Sequence, residues 1–311
     1  MNTELKNSIS AAADKAQYDD CAKRLLAQKR ILAHILVKTV DEFKGIAPKD
    51  AETFIEGEPY ISVVPTEPGL TNTDGSDTER KKIVGLNTEN SEINEGLVRF
   101  DIIFYVRLKN GLTQIIVNLE IQKSEPTKYH ILNRAIFYVS RMVSSQKERD
   151  FAGMRYDDIK SVVSIWICMD TEANSMSHFH FVKDEMLEPY DWGGNIDMIN
   201  IVLLGIKNEL PAHDDKYELH RLLGALLSEK LGVSEKMNII EREYDIPLAD
   251  NLKEGVDSMC NLGQGIEDKA VEKLILKMYE SHLPIEQIAT ISEKTVEEVK
   301  AIIKKYEPAL V

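Results

Sequence analysis

Two short apolar segments separated by a tight-turn dipeptide constrain the fold of this chain more than any other feature. Residues 98–106 (VRFDIIFYV) are rich in β-branched and aromatic side chains, and residues 114–122 (QIIVNLEIQ) alternate between apolar and polar. The Asn-Gly dipeptide at 110–111 is typical of a tight hairpin turn. The sequence therefore predicts an antiparallel hairpin in which Glu120 and Gln122 share one face, because successive strand side chains point to opposite faces.

Helical and strand patterns flank this hairpin. Apolar residues recur at helical spacing over residues 23–43, 129–146 and 216–231, which predicts three helices. Continuous apolar runs at residues 162–169 and 196–206 predict strands that are buried on both faces. The order helix, hairpin, helix, buried strand is typical of an α/β or α+β core, in which helices pack on a mixed sheet.

The length of 311 residues suits either one large domain with an appendage or two domains. We divide the chain into a flexible N-terminus at residues 1–22, a core domain at 23–232, a linker segment at 233–265 and a C-terminal region at 266–311.

The C-terminal region has the outline of a helix-turn-helix. Helices are predicted at residues 271–279, 284–290 and 296–306, around a Ser-Glu-Lys-Thr turn. Acidic residues outnumber basic ones in this region, which weakens a DNA-binding interpretation. A protein contact or the formation of a homo-oligomer through these helices fits at least as well.

Composition excludes several classes of protein. The net charge of −14 favours solubility and argues against a chain that is coated in nucleic acid over its whole surface. The three cysteines are widely separated and form no CxxC pair, which argues against a thiolate zinc site and suits a reducing compartment. There is no signal-peptide pattern and no apolar window of membrane-spanning length, so we expect a cytoplasmic protein without a membrane partner.

Two acidic residues of the predicted hairpin form a candidate metal site. Asp101 comes from the first strand and Glu120 from the second, so the pairing register can bring their carboxylates together. An Asp is locally unfavourable in a strand rich in Phe, Ile and Tyr, and broken local rules often mark functional positions. Many enzymes hydrolyse phosphodiesters with water that is activated by a divalent ion held by carboxylates. Mg²⁺ commonly binds only one or two protein carboxylates. The alternative is a pair of solvated strand carboxylates.

Several segments together carry a family resemblance. They read RFDIIFYVRLKNG, QIIVNLEIQ, LNRAIFYVSRMVSSQ and YDDIKSVVSIWI. The stretch from residue 99 to about 169 resembles the PD-(D/E)XK nuclease family transposases, relatives of the recombination-promoting nucleases. That family has an Asp on one strand, Glu-x-Gln on the next, a helix with Arg and Tyr four residues apart, and a Tyr before a buried strand. The matching residues here are Asp101, Glu120, Gln122, Arg134, Tyr138 and Tyr156.

The resemblance implies a restriction-endonuclease-like fold and DNA cleavage that depends on Mg²⁺ or Mn²⁺. Asp101 and Glu120 would bind the metal, and Arg134, on the same helix face as Tyr138, would support the scissile phosphate or orient Glu120. Gln122 stands where many nucleases of this superfamily have Lys, and an amide can orient water but carries no charge. Its neighbour Lys123 points to the opposite face unless the strand bulges.

Further candidates are weaker. The superfamily often adds an acidic residue from the first helix, and Glu42 or its neighbour Asp41 would fill that role. Each is also explained as a solvated residue near a helix end. His178 and His180 are spaced as neighbours on one strand face, a pattern that can bind Zn²⁺, but no third ligand is evident nearby. Trp166 and Trp192 are expected to be packing residues.

Two functions stay open. Residues 98–160 carry eleven basic and seven acidic side chains within an acidic chain, which suits a DNA backbone at this segment but also fits ordinary charge fluctuation. The first hypothesis is a metal-dependent DNA endonuclease linked to recombination or mobile elements. The alternative is a catalytically inactive nuclease fold that binds DNA or a protein partner, which Gln122 and the acidic total motivate. A scaffold that recruits a partner through its C-terminal helices is a third possibility.

Overall fold

The computed structural model describes residues 16–61, 89–92, 96–108, 114–123, 126–147, 150–228 and 230–306. The chain divides into two compact units. The first, which we call the core unit, comprises Lys23–Ser228 and Lys236–Leu248. The second, the C-terminal unit, comprises Met1–Ala22, Glu229–Glu235 and Ala249–Val311. The domain boundaries drawn from the sequence stay predictions, although the core unit also begins at Lys23.

A mixed six-stranded sheet forms the centre of the core unit. Its strands are β1 (Ile55–Ile61), β4 (Ile102–Arg107), β5 (Gln114–Gln122), β6 (Val162–Met169), β7 (Ser175–His180) and β8 (Ile199–Ile206). They lie in the order β1-β4-β5-β6-β8-β7. Strands β5, β6 and β8 run parallel, whereas the β1/β4, β4/β5 and β7/β8 pairs are antiparallel. Two short strands, β2 (Glu89–Glu92) and β3 (Gly96–Arg99), pair separately.

The helices follow the predicted order with one interruption. Residues 16–26 are helical and form α1; the other helices are α2 (Lys29–Thr39), α3 (Pro48–Ala51), α4 (Ile131–Ser144), α5 (Glu218–Leu227), α6 (Val233–Tyr244), α7 (Asp250–Glu280), α8 (Ile285–Ile291) and α9 (Val296–Tyr306). The single helix predicted over residues 23–43 is therefore wrong, because Gln28 adopts an extended backbone and Asp41–Phe43 is a 3-10 turn. Apolar periodicity continues across so short a break and does not reveal it.

Helix α4 covers one face of the sheet. Its apolar residues Ala135, Val139 and Met142 are buried in a cluster with strand residues. The strand side of that cluster includes Ile103, Tyr105, Ile116, Val162, Trp166 and Ile201. In β8, Val202, Leu204 and Ile206 alternate with Ile201 and are also buried, and β8 contacts α5. The interior strands are therefore buried on both faces, as their continuous apolar sequences predict.

The predicted first strand of the hairpin is divided in two. Strand β3 ends at Arg99 and β4 begins at Ile102, so Phe100 and Asp101 lie in a bend between them. Phe100 is fully buried, with its ring edge-on to Tyr138 at 5.3 Å. The continuous strand predicted over residues 98–106 is wrong, because β3 pairs with β2 while β4 pairs with β5. The Asn-Gly turn lies outside the described residues.

The C-terminal unit contains α7, α8 and α9, which meet in a small apolar cluster around Ile275, Ile288 and Val299. Helix α9 has its predicted bounds, and Thr295 and Glu298 form a capping box at its start. Helix α7 is much longer than predicted, and most of the interval interpreted as a linker is helical in α6 and α7. Within the described parts of the chain, no helix combines the length and hydropathy needed to cross a bilayer.

Candidate active site

The strand register places Asp101 and Glu120 side by side. Ile102 pairs with Leu119 in the antiparallel β4/β5 ladder, and one further step along both strands aligns Asp101 with Glu120. The backbone N–H of Asp101 donates to Glu120 Oε1 at 3.1 Å, and the N–H of Ile121 donates to Asp101 Oδ2 at 3.0 Å. The Glu120 carboxylate is thus held by the backbone of Asp101, and the Asp101 carboxylate is held by the backbone of Ile121, the residue after Glu120. The bend at Asp101 makes this possible, since its N–H bonds a side chain there.

Both carboxylates are buried on the face of the sheet that α4 covers, and each residue is only 2% exposed. A buried charge is costly unless it is paired. Asp101 has such a partner, because Lys23 Nζ lies 2.9 Å from Asp101 Oδ1 and both side chains are 2% exposed. The acidic pair therefore shares its pocket with a buried ammonium group from helix α1.

Sequence reasoning missed Lys23. Its signal was local: Ala22, Leu25 and Leu26 around it are all buried, so a lysine falls within the apolar part of helix α1. A charged residue in such a position must find a buried partner or leave the core. The identity of that partner was not readable, because Asp101 is brought to Lys23 only by the folded sheet.

The environment of Glu120 favours its neutral form when no metal is present. Burial and the neighbouring negative charge of Asp101 raise the pKa of Glu120 well above its ordinary value of 4.5. The positive charges of Arg134 and Lys23 act in the opposite direction, but they are smaller contributions. A divalent cation between the two carboxylates would reverse this preference, because a bound ion is often the largest charge in such a site.

Arg134 lies above the acidic pair, at its partly exposed edge. Its guanidinium donates to the hydroxyl of Tyr138 at 2.8 Å and to that of Tyr129 at 2.9 Å, and it approaches Gln122 Oε1 at 3.5 Å. It also stacks over the rings of Tyr138 and Trp166, at 4.9 and 5.4 Å from their centroids. Burial and the negative charge of Glu120 raise the pKa of Tyr138 to about 12, so its phenol stays protonated. Arg134 and Gln122 are half-buried, which leaves them accessible above the enclosed carboxylates.

A buried polar network supports the floor of the site. The amide of Asn118 and the indole N–H of Trp166 both donate to Ser164 Oγ, at 3.2 and 2.9 Å. Asn118 and Glu120 share a strand face, and Asn118 Oδ1 accepts no hydrogen bond from the described protein atoms. Trp166 is fixed beneath the Arg134 guanidinium, which agrees with its predicted packing role.

The structure does not bring Glu42 to the acidic pair. Asp41 and Glu42 are exposed on their 3-10 turn, where Asp41 pairs with Lys44 at 2.7 Å. Among the residues with described positions, no group of three or more His, Cys, Asp or Glu side chains is arranged to hold a metal. The prediction that Glu42 completes the metal site is therefore wrong. It assumed that Glu42 lies on the first helix, but α2 ends at Thr39 and apolar spacing does not distinguish the 3-10 turn that follows from a further helical turn.

The other sequence candidates lie apart from this arrangement. His178 and His180 stack at 4.8 Å on the exposed strand β7, where His178 Nε2 contacts Asn200 Oδ1 at 2.7 Å. Tyr156 is half exposed and its ring packs against Phe151. Neither the histidine pair nor Tyr156 contributes a contact to Asp101 or Glu120 that would assign it a role there.

A divalent ion fits the residues present. The two carboxylates offer hard oxygen ligands from adjoining strands, and burial together with the negative charge of Asp101 raises the pKa of Glu120, so a bound cation would favour its ionised form. Mg²⁺ suits such a site, because it commonly binds one or two protein carboxylates and completes its octahedron with water and phosphate oxygens.

Comparison with known proteins agrees with this geometry. Residues 76–188 match a family model described as PD-(D/E)XK nuclease family transposase. The match contains both carboxylates and Gln122, Arg134 and Tyr138, whereas Lys23 lies before it. No curated protein and no solved structure gave a significant match. The six-stranded mixed sheet with flanking helices is the α/β architecture of a restriction-endonuclease-like fold. In sequence, the central segment of this chain at residues 76–188 thus matches the PD-(D/E)XK nuclease family transposases.

Proposed function

We propose that this chain is a DNA endonuclease linked to mobile elements, and that it hydrolyses phosphodiester bonds with Mg²⁺ or Mn²⁺ held by Asp101 and Glu120. The observation that carries the proposal is a pair of adjacent buried carboxylates, in which Glu120 accepts from the backbone N–H of Asp101 and Asp101 accepts from that of Ile121. Two adjacent buried carboxylates repel each other when both are ionised, and a divalent cation bound between them would offset that repulsion. The family match over residues 76–188 supports nuclease chemistry.

The other residues of the site divide the remaining tasks. The bound ion would activate water and offset charge on the phosphate. Gln122, two residues after Glu120 on the same strand face, would orient the attacking water through its amide. Arg134 would contact a phosphate oxygen from the partly exposed edge, with Tyr129 and Tyr138 fixing its guanidinium. Tyr138 thus acts as a positioning residue in this proposal.

A DNA substrate agrees with the charges around the site. The segment from residue 98 to 160 has a basic excess, and Lys123 and Lys128 are exposed near the end of β5 and the start of α4. Lysines at such positions would attract a phosphate backbone and make binding dependent on salt. The remaining acidic surface would keep the chain from coating DNA without selectivity.

A second candidate function is a nuclease fold that binds DNA or a protein partner without cleaving. Two observations favour it: both carboxylates are almost fully enclosed, and the position after them offers the uncharged Gln122. This alternative predicts DNA binding that is indifferent to Mg²⁺ and to Glu120→Gln.

Cleavage by Glu120→Gln decides between these functions. We expect the wild-type protein to nick supercoiled plasmid DNA in Mg²⁺ or Mn²⁺, to stop in excess EDTA, and to lose at least about 100-fold in rate on this substitution. The change keeps the side-chain shape and replaces a carboxyl group by an uncharged amide, so the fold should persist. Rates are measured by gel densitometry, and circular dichroism is the control. Equal nicking by wild type and Glu120→Gln would remove Glu120 from the chemistry.

The raised pKa of Glu120 also predicts how stability depends on pH. As pH rises above 4.5, the unfolded chain releases this proton while the folded protein retains it, so the free energy of unfolding falls. The fall ends once pH passes the raised folded pKa. Mg²⁺ favours the ionised form of Glu120. The rise in the protein's melting temperature on adding Mg²⁺ should therefore be larger at pH 8 than at pH 5. Thermal melts in Mg²⁺ and in EDTA test this, and Glu120→Gln should lose most of the difference.

A further inference from the structure

The buried lysine beside Asp101 has no task in the function proposed so far. We propose that Lys23 is the cationic catalytic residue of this site, supplied by helix α1 to hold and polarise the attacking water beside Asp101. The inference rests on the proposed endonuclease function. It adds a residue that lies outside the segment matched by the family model.

The distance supports contact with the reacting groups. Lys23 Nζ lies 2.9 Å from Asp101 Oδ1. A Mg²⁺ ion stands about 2.1 Å from each of its oxygen ligands, so water and phosphate oxygens around an ion on Asp101 fall within roughly 3–4 Å of that carboxylate. In our proposal, one of those oxygens would lie on the side of Asp101 that the Lys23 ammonium already occupies, where it would accept a hydrogen bond from that group. Burial strengthens its electrostatic effect there, because solvent screening is small.

The other groups around the site leave this charge unsupplied. Gln122 has an uncharged amide, and Lys123 is exposed in the bend that follows β5. Arg134 is positively charged, but its guanidinium is engaged with two tyrosine hydroxyls at the partly exposed edge. Lys23 approaches the acidic pair from within the core unit and contacts a carboxylate directly. The geometry thus places one cation at the edge and one at the carboxylates.

A purely structural role makes a different prediction. If Lys23 only balances the charge of Asp101, any cation of suitable reach should support full activity. If Lys23 also holds a reacting oxygen, the position and shape of the cation matter, and Arg should be a poor replacement for Lys. Lys236 provides a matched control, because it is another fully buried lysine and its ammonium donates to the carbonyl of Leu226 at 3.1 Å.

The experiment compares wild type with Lys23→Arg, Lys23→Gln and Lys236→Gln. Mn²⁺ binding is measured by calorimetry, and plasmid nicking is measured at saturating Mn²⁺. We expect the Kd for Mn²⁺ of both Lys23 variants to be no more than about threefold above that of wild type. The reason is that each substitution moves or removes a positive charge beside the Asp101 carboxylate, which does not weaken cation binding. We expect kcat to fall about 100-fold in Lys23→Gln and about tenfold in Lys23→Arg, with KM for DNA nearly unchanged. Lys236→Gln should retain the wild-type kcat per folded molecule.

Each outcome decides the inference. A wild-type kcat in either folded Lys23 variant would overturn it while leaving the endonuclease function intact. Loss of Mn²⁺ binding in these variants would also overturn it, since Lys23 would then only organise the metal site. If Lys23→Gln does not fold, Lys23→Arg decides alone, because it keeps the charge opposite Asp101. An inactive wild-type protein would overturn the endonuclease function itself, and this inference with it.

Discussion

Asp101→Ala should abolish nicking and destabilise the protein at the same time. The substitution removes a proposed metal ligand, and it leaves the buried Lys23 ammonium without its carboxylate at 2.9 Å. Removing one member of a buried ion pair costs about 3–5 kcal/mol, mostly because the remaining charge is unpaired. We therefore expect a lower midpoint of urea unfolding together with a cleavage rate at background.

A double variant separates the two effects. Lys23→Met added to Asp101→Ala removes the stranded charge, so it should restore most of the lost free energy of unfolding. Cleavage should stay at background, because the carboxylate is still absent. Recovery of nicking in the double variant would show that Asp101 is not a ligand. Equal stability of the single and double variants would show instead that the Lys23–Asp101 contact does not matter to the fold.

Phe100→Ala should be among the most destabilising single substitutions in the core unit. The ring is fully buried and meets Tyr138 edge-on at 5.3 Å, next to the bend that holds Asp101. Truncating a buried Phe to Ala typically costs about 3–5 kcal/mol. The same substitution at Phe137, which is 49% exposed one residue before Tyr138, should cost less than about 1 kcal/mol.

Urea unfolding followed by tryptophan fluorescence measures both variants, because Trp166 lies in the same cluster as Phe100. A loss below about 1 kcal/mol for Phe100→Ala would mean that the bend is held by its hydrogen bonds and that the ring contributes little. In that case Asp101 would keep its geometry in the variant, and the nicking rate would be unchanged.

Helices and strands whose formation depends on neighbouring residues were predicted well from the sequence. Helix α9 and strands β5 and β6 were found where periodicity and β-branched runs placed them. The hairpin pattern alone predicts that Asp101 and Glu120 are neighbours, and the structure places them side by side. Register follows from pairing two neighbouring strands, so sequence alone constrains it well.

The remaining features depend on contacts between distant segments. The bend at Asp101 lets its backbone N–H donate to the Glu120 side chain, an arrangement that strand propensity does not encode. The role of Lys23 is not readable from the sequence because its partner Asp101 lies on another element. Glu42 was predicted from the position of an acidic residue in related nucleases, but in this fold it lies on a short 3-10 turn instead of on the first helix. Contacts between side chains of distant segments are the features that a single sequence predicts least well.

The sheet order carries a practical lesson about where this chain can be cut. Strand β4 lies between β1 and β5, and β7 pairs only with β8 along the described ladders, yet β1 and β8 both fall outside residues 76–188. A recombinant fragment limited to that interval would expose the unpaired edge of β4, leave β7 without its neighbour, and discard the lysine opposite Asp101. It would contain both Asp101 and Glu120 and still be expected to aggregate. The smallest useful fragment therefore has to begin before Lys23 and extend beyond Ile206.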